Sequence, residues 1–184
     1  MSDSGSTAED HGAAARGKRP SPWQPGALFH ATRRYPRRSR AGRVDRLAGI
    51  LRHGLRAPAD CPDGSVCSDL SIRVTGMAVS YDSLVFLHRF GAESAIYTIG
   101  EPGRFFVFVN PALPVLTPGD LGANWPILCQ DEVYVRDRVP PEHLTCVVVH
   151  PDDAESVVAE FRADFRRLGI PLLDHDGNIV WEPA

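Results

Sequence analysis

The chain has 184 residues, of which 43% are hydrophobic and 23% are charged, and its formal net charge is -3. This length suits one domain with a sizeable core, and the composition is that of an ordinary globular protein. A net charge so close to zero excludes nucleic-acid binding driven by overall charge alone. Neither a signal peptide nor an apolar run of membrane length is recognisable, so we expect a cytoplasmic protein with no membrane partner.

The chain begins with a segment that has no apolar periodicity. Residues 1–22 are rich in Ser, Gly, Ala and charged residues, which predicts a disordered tail before a single domain at 23–184. The first predicted strand is 27–32, and it contains His30 and Thr32. Because side chains alternate along a strand, these two residues are expected to share one face.

A cluster of arginines follows this strand. Seven of the 20 basic residues lie between positions 33 and 46, in a segment whose proline and glycine favour a loop over a helix. Such a cluster is a candidate phosphate-binding patch, although many clusters of this kind are simply solvated. The residues that we assign to nucleic-acid binding are Arg37, Arg38 and Arg40.

The rest of the chain indicates short strands and few helices. Apolar residues at helical spacing predict helices at 44–53 and 152–168, and each is followed by a glycine that would end it. Runs of aromatic and β-branched residues predict the central strands, at 84–87, 95–99 and 104–110. After the second helix, an Asp-Gly turn predicts a hairpin of 170–173 and 179–181. The pattern is that of an α+β fold.

Residues 126–151 contain the strongest candidate for chemistry. Glu132, Tyr134 and Arg136 are expected on one face of a strand and two valines on the other, before a break at Pro140 and a second strand at 144–149. Gln130 precedes Glu132 by two positions, so both would point the same way. A strand needs no such amide and carboxylate to fold, and the pair is therefore a catalytic candidate.

The cysteines and histidines do not indicate a metal site. The four cysteines are too widely spaced for the short pairs of a zinc site, and the remaining histidines are scattered. We therefore expect buried, reduced thiols and no metal.

Taken in order, these segments resemble the ADP-ribosyltransferase fold, and more closely the DarT-type family of DNA ADP-ribosyltransferase toxins. The pieces that carry the resemblance, between about 27 and 150, are Leu28-Phe29-His30-Ala31-Thr32, Ile50-Leu51-Arg52-His53-Gly54-Leu55, the block that begins at Tyr81, and Gln130-Asp131-Glu132-Val133-Tyr134-Val135. The resemblance implies a split or mixed β-sheet core with few helices. It also implies a toxin-like enzyme that uses NAD as co-substrate. The richness in Arg, Ala, Pro and Gly separately indicates a GC-rich bacterial genome.

The resemblance assigns roles to individual residues. Glu132 would stabilise the ribosyl cation, and Gln130 would orient the acceptor, which is a nucleic-acid base in DNA or RNA or a protein side chain. The residues that would bind NAD are His30, Thr32, Arg73 and Tyr81. A toxin of this kind would also have an antitoxin as a partner.

Two alternatives keep the same fold. An RNA 2'-phosphotransferase would also use NAD, but it would depend on basic residues and would need no catalytic glutamate. A catalytically inactive relative would bind a partner through its arginines, and Glu132 would then be incidental.

Overall fold

A computed structural model of the protein describes residues 21–34, 45–57, 60, 83–91, 101–121 and 131–184. The strands are β1 (Leu28–Arg33), β2 (Leu55–Arg56), β3 (Leu84–Arg89), β4 (Arg104–Val109), β5 (Glu132–Arg136), β6 (Arg138–Val139), β7 (Leu144–Val149), β8 (Leu172–Asp174) and β9 (Ile179–Trp181). The helices are α1 (Arg46–His53) and α2 (Pro151–Leu168). Predictions for 1–20, for the arginines at 35–44 and for a strand at 95–99 lie outside the described residues.

Seven of these strands form one mixed sheet. Their order is β5-β3-β1-β4-β7-β8-β9, and β2 and β6 form a separate two-stranded sheet. The pairings within the large sheet are antiparallel except that of β7 with β8, which α2 connects as a crossover helix. The predicted α+β class is confirmed, and the parallel pairing is a feature that the sequence reading missed.

β1 is paired over different lengths on its two sides. This strand pairs with β4 over six residues, from Leu28 opposite Val109 to Arg33 opposite Arg104. On its other side it pairs with β3 at Leu28 and Phe29 only. Backbone pairing between the two strands therefore ends before His30. We call the unpaired stretch of β1 and β3 beyond the Phe29–His88 pair the opening.

The two faces of the sheet carry different cores. Valines and leucines on one face, such as Val107 and Val147, pack against α1 and α2, and we call this the helix face. The other face carries Phe29, Phe106 and Phe108, with Trp23 packed on them at a ring distance of 4.9 Å from Phe108, and we call it the aromatic face. Burial of both faces provides the main stabilisation, because apolar area removed from water is the dominant favourable contribution to folding.

The caps of α1 explain its bounds. The Asp45 side chain accepts hydrogen bonds from the backbone N–H groups of Leu47 (2.9 Å) and Ala48 (3.2 Å), which satisfies two donors at the N-terminus. At the other end, the Gly54 N–H bonds to the Ile50 carbonyl. The predicted helix is confirmed over its described residues.

The second helix is held by contacts from both of its ends and from its side. Asp153 accepts a hydrogen bond from the Gly103 backbone, and Gly169 ends the helix in the left-handed conformation, with φ of 68°. On its side, Glu160 pairs with Arg34, whose guanidinium lies 5.0 Å from the centre of the Phe161 ring. The same arginine bonds to Asp45, so one side chain links the end of β1 to both helices.

The C-terminal strands agree with the predicted hairpin. The turn between β8 and β9 is stabilised by Asp174, whose side chain accepts from the backbone of Asp176 and Asn178. Within the described part of the chain, neither helix is long and apolar enough to cross a membrane.

Gly54 is a position where no side chain fits. Its φ is +76°, and an added Cβ would lie 2.0 Å from the Val139 carbonyl oxygen. We expect Gly54→Ala to lower the free energy of unfolding by about 2 kcal/mol or more, measured by urea denaturation. The matched control is Gly49→Ala in α1, where the added Cβ meets nothing within 4 Å and helix propensity favours alanine. Equal stability of the two variants would contradict this account.

Candidate functional site

Three polar or charged side chains are buried among the residues that the structure describes. They are His30, Thr32 and Glu132, with exposed fractions of 5%, 8% and 2%. All three were assigned to the site from the sequence. Burying a polar group is costly unless it is hydrogen-bonded, so their shared burial distinguishes them from the surface polar residues.

Glu132 is the first residue of β5, next to Tyr134 on the same face. The Tyr134 hydroxyl donates a hydrogen bond of 2.9 Å to Oε2 of Glu132. Tyr134 is itself fully buried, and its ring packs edge-on against Phe86. The carboxylate is thus fixed by a rigid, buried donor and not by a mobile surface group.

His88 of β3 lies opposite Glu132 in the sheet. Its other cross-strand neighbour is Phe29, whose ring centre is 5.4 Å away. Burial, and then the electrostatic influence of the nearby His30 ring, lower the pKa of His88 to about 4, although Asp131 acts in the opposite direction. His88 is therefore neutral near pH 7, and its ring provides a polar but uncharged neighbour for the carboxylate.

His30 lies at the opening. Its Nδ1 is 3.0 Å from the backbone oxygen of Phe86, a residue of β3 that is not paired with β1. Because a carbonyl oxygen can only accept, Nδ1 carries the proton, and in the neutral ring Nε2 is then an acceptor. The side chain of His30 thus replaces the strand-to-strand hydrogen bonds that end at Phe29.

Thr32 follows on the same face, as expected. Its hydroxyl oxygen accepts a hydrogen bond of 3.1 Å from the guanidinium of Arg46, the first residue of α1. The side chains of His30 and Thr32 both point to the helix face, because their partners in β4 are Val107 and Phe105. α1 is therefore anchored directly beside the two residues.

The register separates the predicted residues into two groups. His30 and Thr32 belong to the helix face, whereas Glu132, His88 and Tyr134 belong to the aromatic face, as their alternation with buried Val133 shows. The two groups therefore do not line one pocket on a single face. The opening begins one residue beyond the row of paired residues that contains His88 and Glu132.

The described arginines at the end of β1 are engaged by carboxylates. Arg33 and Arg104 both bond to Oε2 of Glu101 at 2.9 Å, and Arg34 pairs with Asp45 at 2.8 Å. A recess of about 50 Å³ beside them is lined by Ala31, Thr32, Arg33, Arg104, Phe105 and Phe106. These arginines stabilise the end of the sheet, and their charges are already partly neutralised.

Metal and thiol chemistry have no visible place in the described part of the chain. No group of three or more His, Cys, Asp or Glu residues there could hold a metal ion. Cys146 is buried, and burial raises the pKa of its thiol to about 12, so it is not a thiolate nucleophile near pH 7.

Sequence reading missed two members of the site. Tyr134 was recognised only as a strand residue, and His88 was set aside as one of several scattered histidines. Their contacts depend on which strands pair and in which register. The alternation of Glu132 and Tyr134 was the only local signal, and it placed both side chains on one face. Gln130, Arg73, Tyr81, Arg37, Arg38 and Arg40 lie outside the described residues.

Comparisons with known proteins do not assign the chain to a group: no family model matches it, and no curated protein does.

The contribution of the hydrogen bond between Tyr134 and Glu132 to the free energy of unfolding can be measured. Tyr134→Phe removes the donor and leaves the ring, so we expect a loss of about 1–3 kcal/mol in the free energy of unfolding, measured by urea denaturation. In a Glu132→Met background the same change should cost much less, because the acceptor is gone. Equal costs in the two backgrounds would show that the bond does not contribute.

The lowered pKa of His88 predicts a pH dependence of stability. Its folded-state value of about 4 is below the ordinary 6.5, so between these pH values the unfolded chain binds the proton more tightly. Stability should therefore decrease as the pH falls through this range, by at most about 1.4 kcal/mol per pH unit because a single proton is taken up. The urea midpoint of the wild type should fall more between pH 7 and pH 5 than that of His88→Gln. Parallel decreases would contradict the assignment.

Proposed function

We propose that the chain is an NAD-dependent ADP-ribosyltransferase with its site at the opening between β1 and β3. The observation that carries the proposal is the shared burial of His30, Thr32 and Glu132 among the described residues. Three polar side chains taken out of water within one sheet add little to a core that valines and phenylalanines already fill. A role in ligand binding or catalysis explains the burial of these three side chains better than a role in folding does.

The position of the ligand follows from the parting of the strands. His30 and Glu132 lie on opposite faces, so one molecule reaches both only where the sheet is interrupted. Beyond the Phe29–His88 pair, no backbone pair joins β1 to β3, and a ligand that enters there would meet His30 on β1. The same ligand approaches β5 across β3, which separates the two strands.

The chemistry requires a carboxylate near the ribose. The bond from the ribose carbon C1' to the nicotinamide nitrogen breaks, and its electron pair leaves with the nicotinamide. The ribosyl centre passes through a cationic state like that of other glycosidic reactions. Glu132 would stabilise this charge. The acceptor atom then bonds to C1' and releases its proton to solvent, so that the products are neutral nicotinamide, the ADP-ribosylated acceptor and one proton. The Tyr134 hydroxyl would hold the carboxylate in place at no cost of reorganisation.

His30 and Thr32 would bind the NAD molecule on the β1 side. The proton on Nδ1 of His30 is fixed by the Phe86 carbonyl, which gives Nε2 the acceptor character that a ribose hydroxyl requires. The Thr32 hydroxyl is oriented by Arg46. Gln130, Arg73 and Tyr81 keep their proposed roles in acceptor orientation and NAD binding.

The acceptor is proposed to be a base in DNA or RNA or a protein side chain, in a toxin-like enzyme with an antitoxin partner. The phosphotransferase alternative receives less support, because Arg33, Arg34 and Arg104 are engaged by carboxylates. The inactive-relative alternative leaves the burial of Glu132 without a purpose.

The test measures nicotinamide release and label transfer from labelled NAD to single-stranded DNA, duplex DNA, RNA and lysate protein. We expect Glu132→Gln to lower both by about 100-fold or more, because the amide accepts the Tyr134 hydrogen bond without the negative charge. His30→Ala should weaken NAD use by about 10-fold, as loss of a binding group does.

The matched control is Glu142→Gln, which removes an exposed carboxylate from the short 3-10 helix Pro141–His143 and should leave the activity unchanged. If Glu132→Gln does not fold, Glu132→Asp retains the charge and withdraws it from the reacting centre. A folded wild type that releases no nicotinamide and labels no acceptor would refute the proposed function.

A further inference from the structure

The small sheet of β2 and β6 brings two arginines together. Arg56 lies directly opposite Arg138 in its register, and Arg136 lies just before β6 at the end of β5. Arg136 and Arg138 are exposed and Arg56 is half-buried. We call these three residues the arginine patch.

The backbone fixes the direction of the patch. Leu55 and Val139, the neighbours of Arg56 and Arg138 in their strands, are fully buried, so alternation directs both arginines away from the core. Asp137 between Arg136 and Arg138 has φ of 63°. Its N–H bonds to the Ser83 carbonyl, and its carbonyl accepts from Ala57, both at 2.8–2.9 Å. The patch is therefore held on a rigid turn.

These arginines differ from those at the end of β1. Arg33, Arg34 and Arg104 each contact a carboxylate. No ion pair within the described ranges involves a member of the patch, and Asp137 separates Arg136 from Arg138 in the sequence. Like charges directly opposite each other in a sheet are destabilising. The fold thus retains an unfavourable pair that a bound polyanion would relieve.

We propose that the arginine patch binds the phosphate backbone of a nucleic-acid strand. A guanidinium is permanently charged, and its planar fork matches the oxygens of a phosphate. The inference names the acceptor class of the proposed transferase, and it rests on that function only for the transfer step. The members of the patch are other residues than Arg37, Arg38 and Arg40, which precede α1 in the sequence and lie outside the described residues.

A second explanation of the patch is protection of the sheet edge. Arginines on a two-stranded sheet would also hinder pairing with another chain. If the patch binds phosphate, removal of its charge weakens nucleic-acid binding, and lysine in place of arginine retains most of it. If the patch only protects the sheet edge, removal of the charge promotes aggregation and leaves nucleic-acid binding unchanged.

The experiment measures binding of fluorescent 20-nucleotide single-stranded DNA and RNA by anisotropy from low to high salt. Arg56→Gln with Arg138→Gln should weaken binding by on the order of 10-fold or more at 0.1 M salt, and lower the slope of log K against log salt by about 1.5, because two phosphate contacts are lost. Arg56→Lys with Arg138→Lys should retain most of the salt slope, since the charge is kept.

The matched control is Arg162→Gln with Arg166→Gln, which removes the same charge from two exposed arginines of α2. These variants should bind nearly as the wild type does. Three outcomes would each overturn the proposal. The patch variant and the α2 variant could bind the oligonucleotide equally weakly, or the wild type could bind no oligonucleotide. The patch variant could also aggregate while its oligonucleotide binding stays unchanged. Patch-dependent binding to phosphatidylserine vesicles without binding to either oligonucleotide would overturn it as well.

Nicotinamide release without an acceptor separates this proposal from the proposed function. The patch variants should release nicotinamide at the wild-type rate while losing transfer to the oligonucleotide. Patch-dependent binding by a protein with no NAD activity would support the patch and refute the transferase.

Discussion

The hydrogen bonds of β1 set the form of the site. On the β4 side, six residue pairs hold the strand in the middle of the sheet. On the β3 side, two pairs hold it, and the ladder then gives way to a bond from a side chain, His30, to the Phe86 backbone. Unpaired backbone groups inside a sheet are costly, so the interruption needs such a substitute. His30 lies at this interruption, and His88, the strand partner of Glu132, lies in the last paired row before it.

The cost of this arrangement is met by the surrounding core. Trp23 and the phenylalanines of β1 and β4 cover the aromatic face, while α1 and α2 cover the other, so the interrupted strand is buried from both sides. Each buried polar group has a specific neighbour: Tyr134 for the carboxylate, Arg46 for the Thr32 hydroxyl and Phe86 for the imidazole. A site built on rigid strands in this way keeps its geometry before any ligand arrives.

Local sequence patterns predicted the helices and strands, whereas the arrangement of the site depends on which distant strands pair and in which register. The bounds of α1 and α2 follow from capping residues and a following glycine, which the sequence displays within a few positions. The alternation around Val133 placed Glu132 and Tyr134 on one face, which is confirmed. Nothing local indicates that His88 lies opposite Glu132, or that His30 and Glu132 end on opposite faces, because register between distant strands depends on the assembled core. The parallel partner of β7 was missed for the same reason.

The pairing pattern also has a consequence for the order in which the sheet can form during synthesis. α1 and the β7–α2–β8 unit consist of contacts between neighbouring segments, which form early. The opening needs β1, β3 and β4, which are far apart in the chain, and β4 needs β7 along its other edge. β7 follows all of these strands in the sequence, so the complete sheet around His30 and Glu132 requires a segment that is synthesised after both residues.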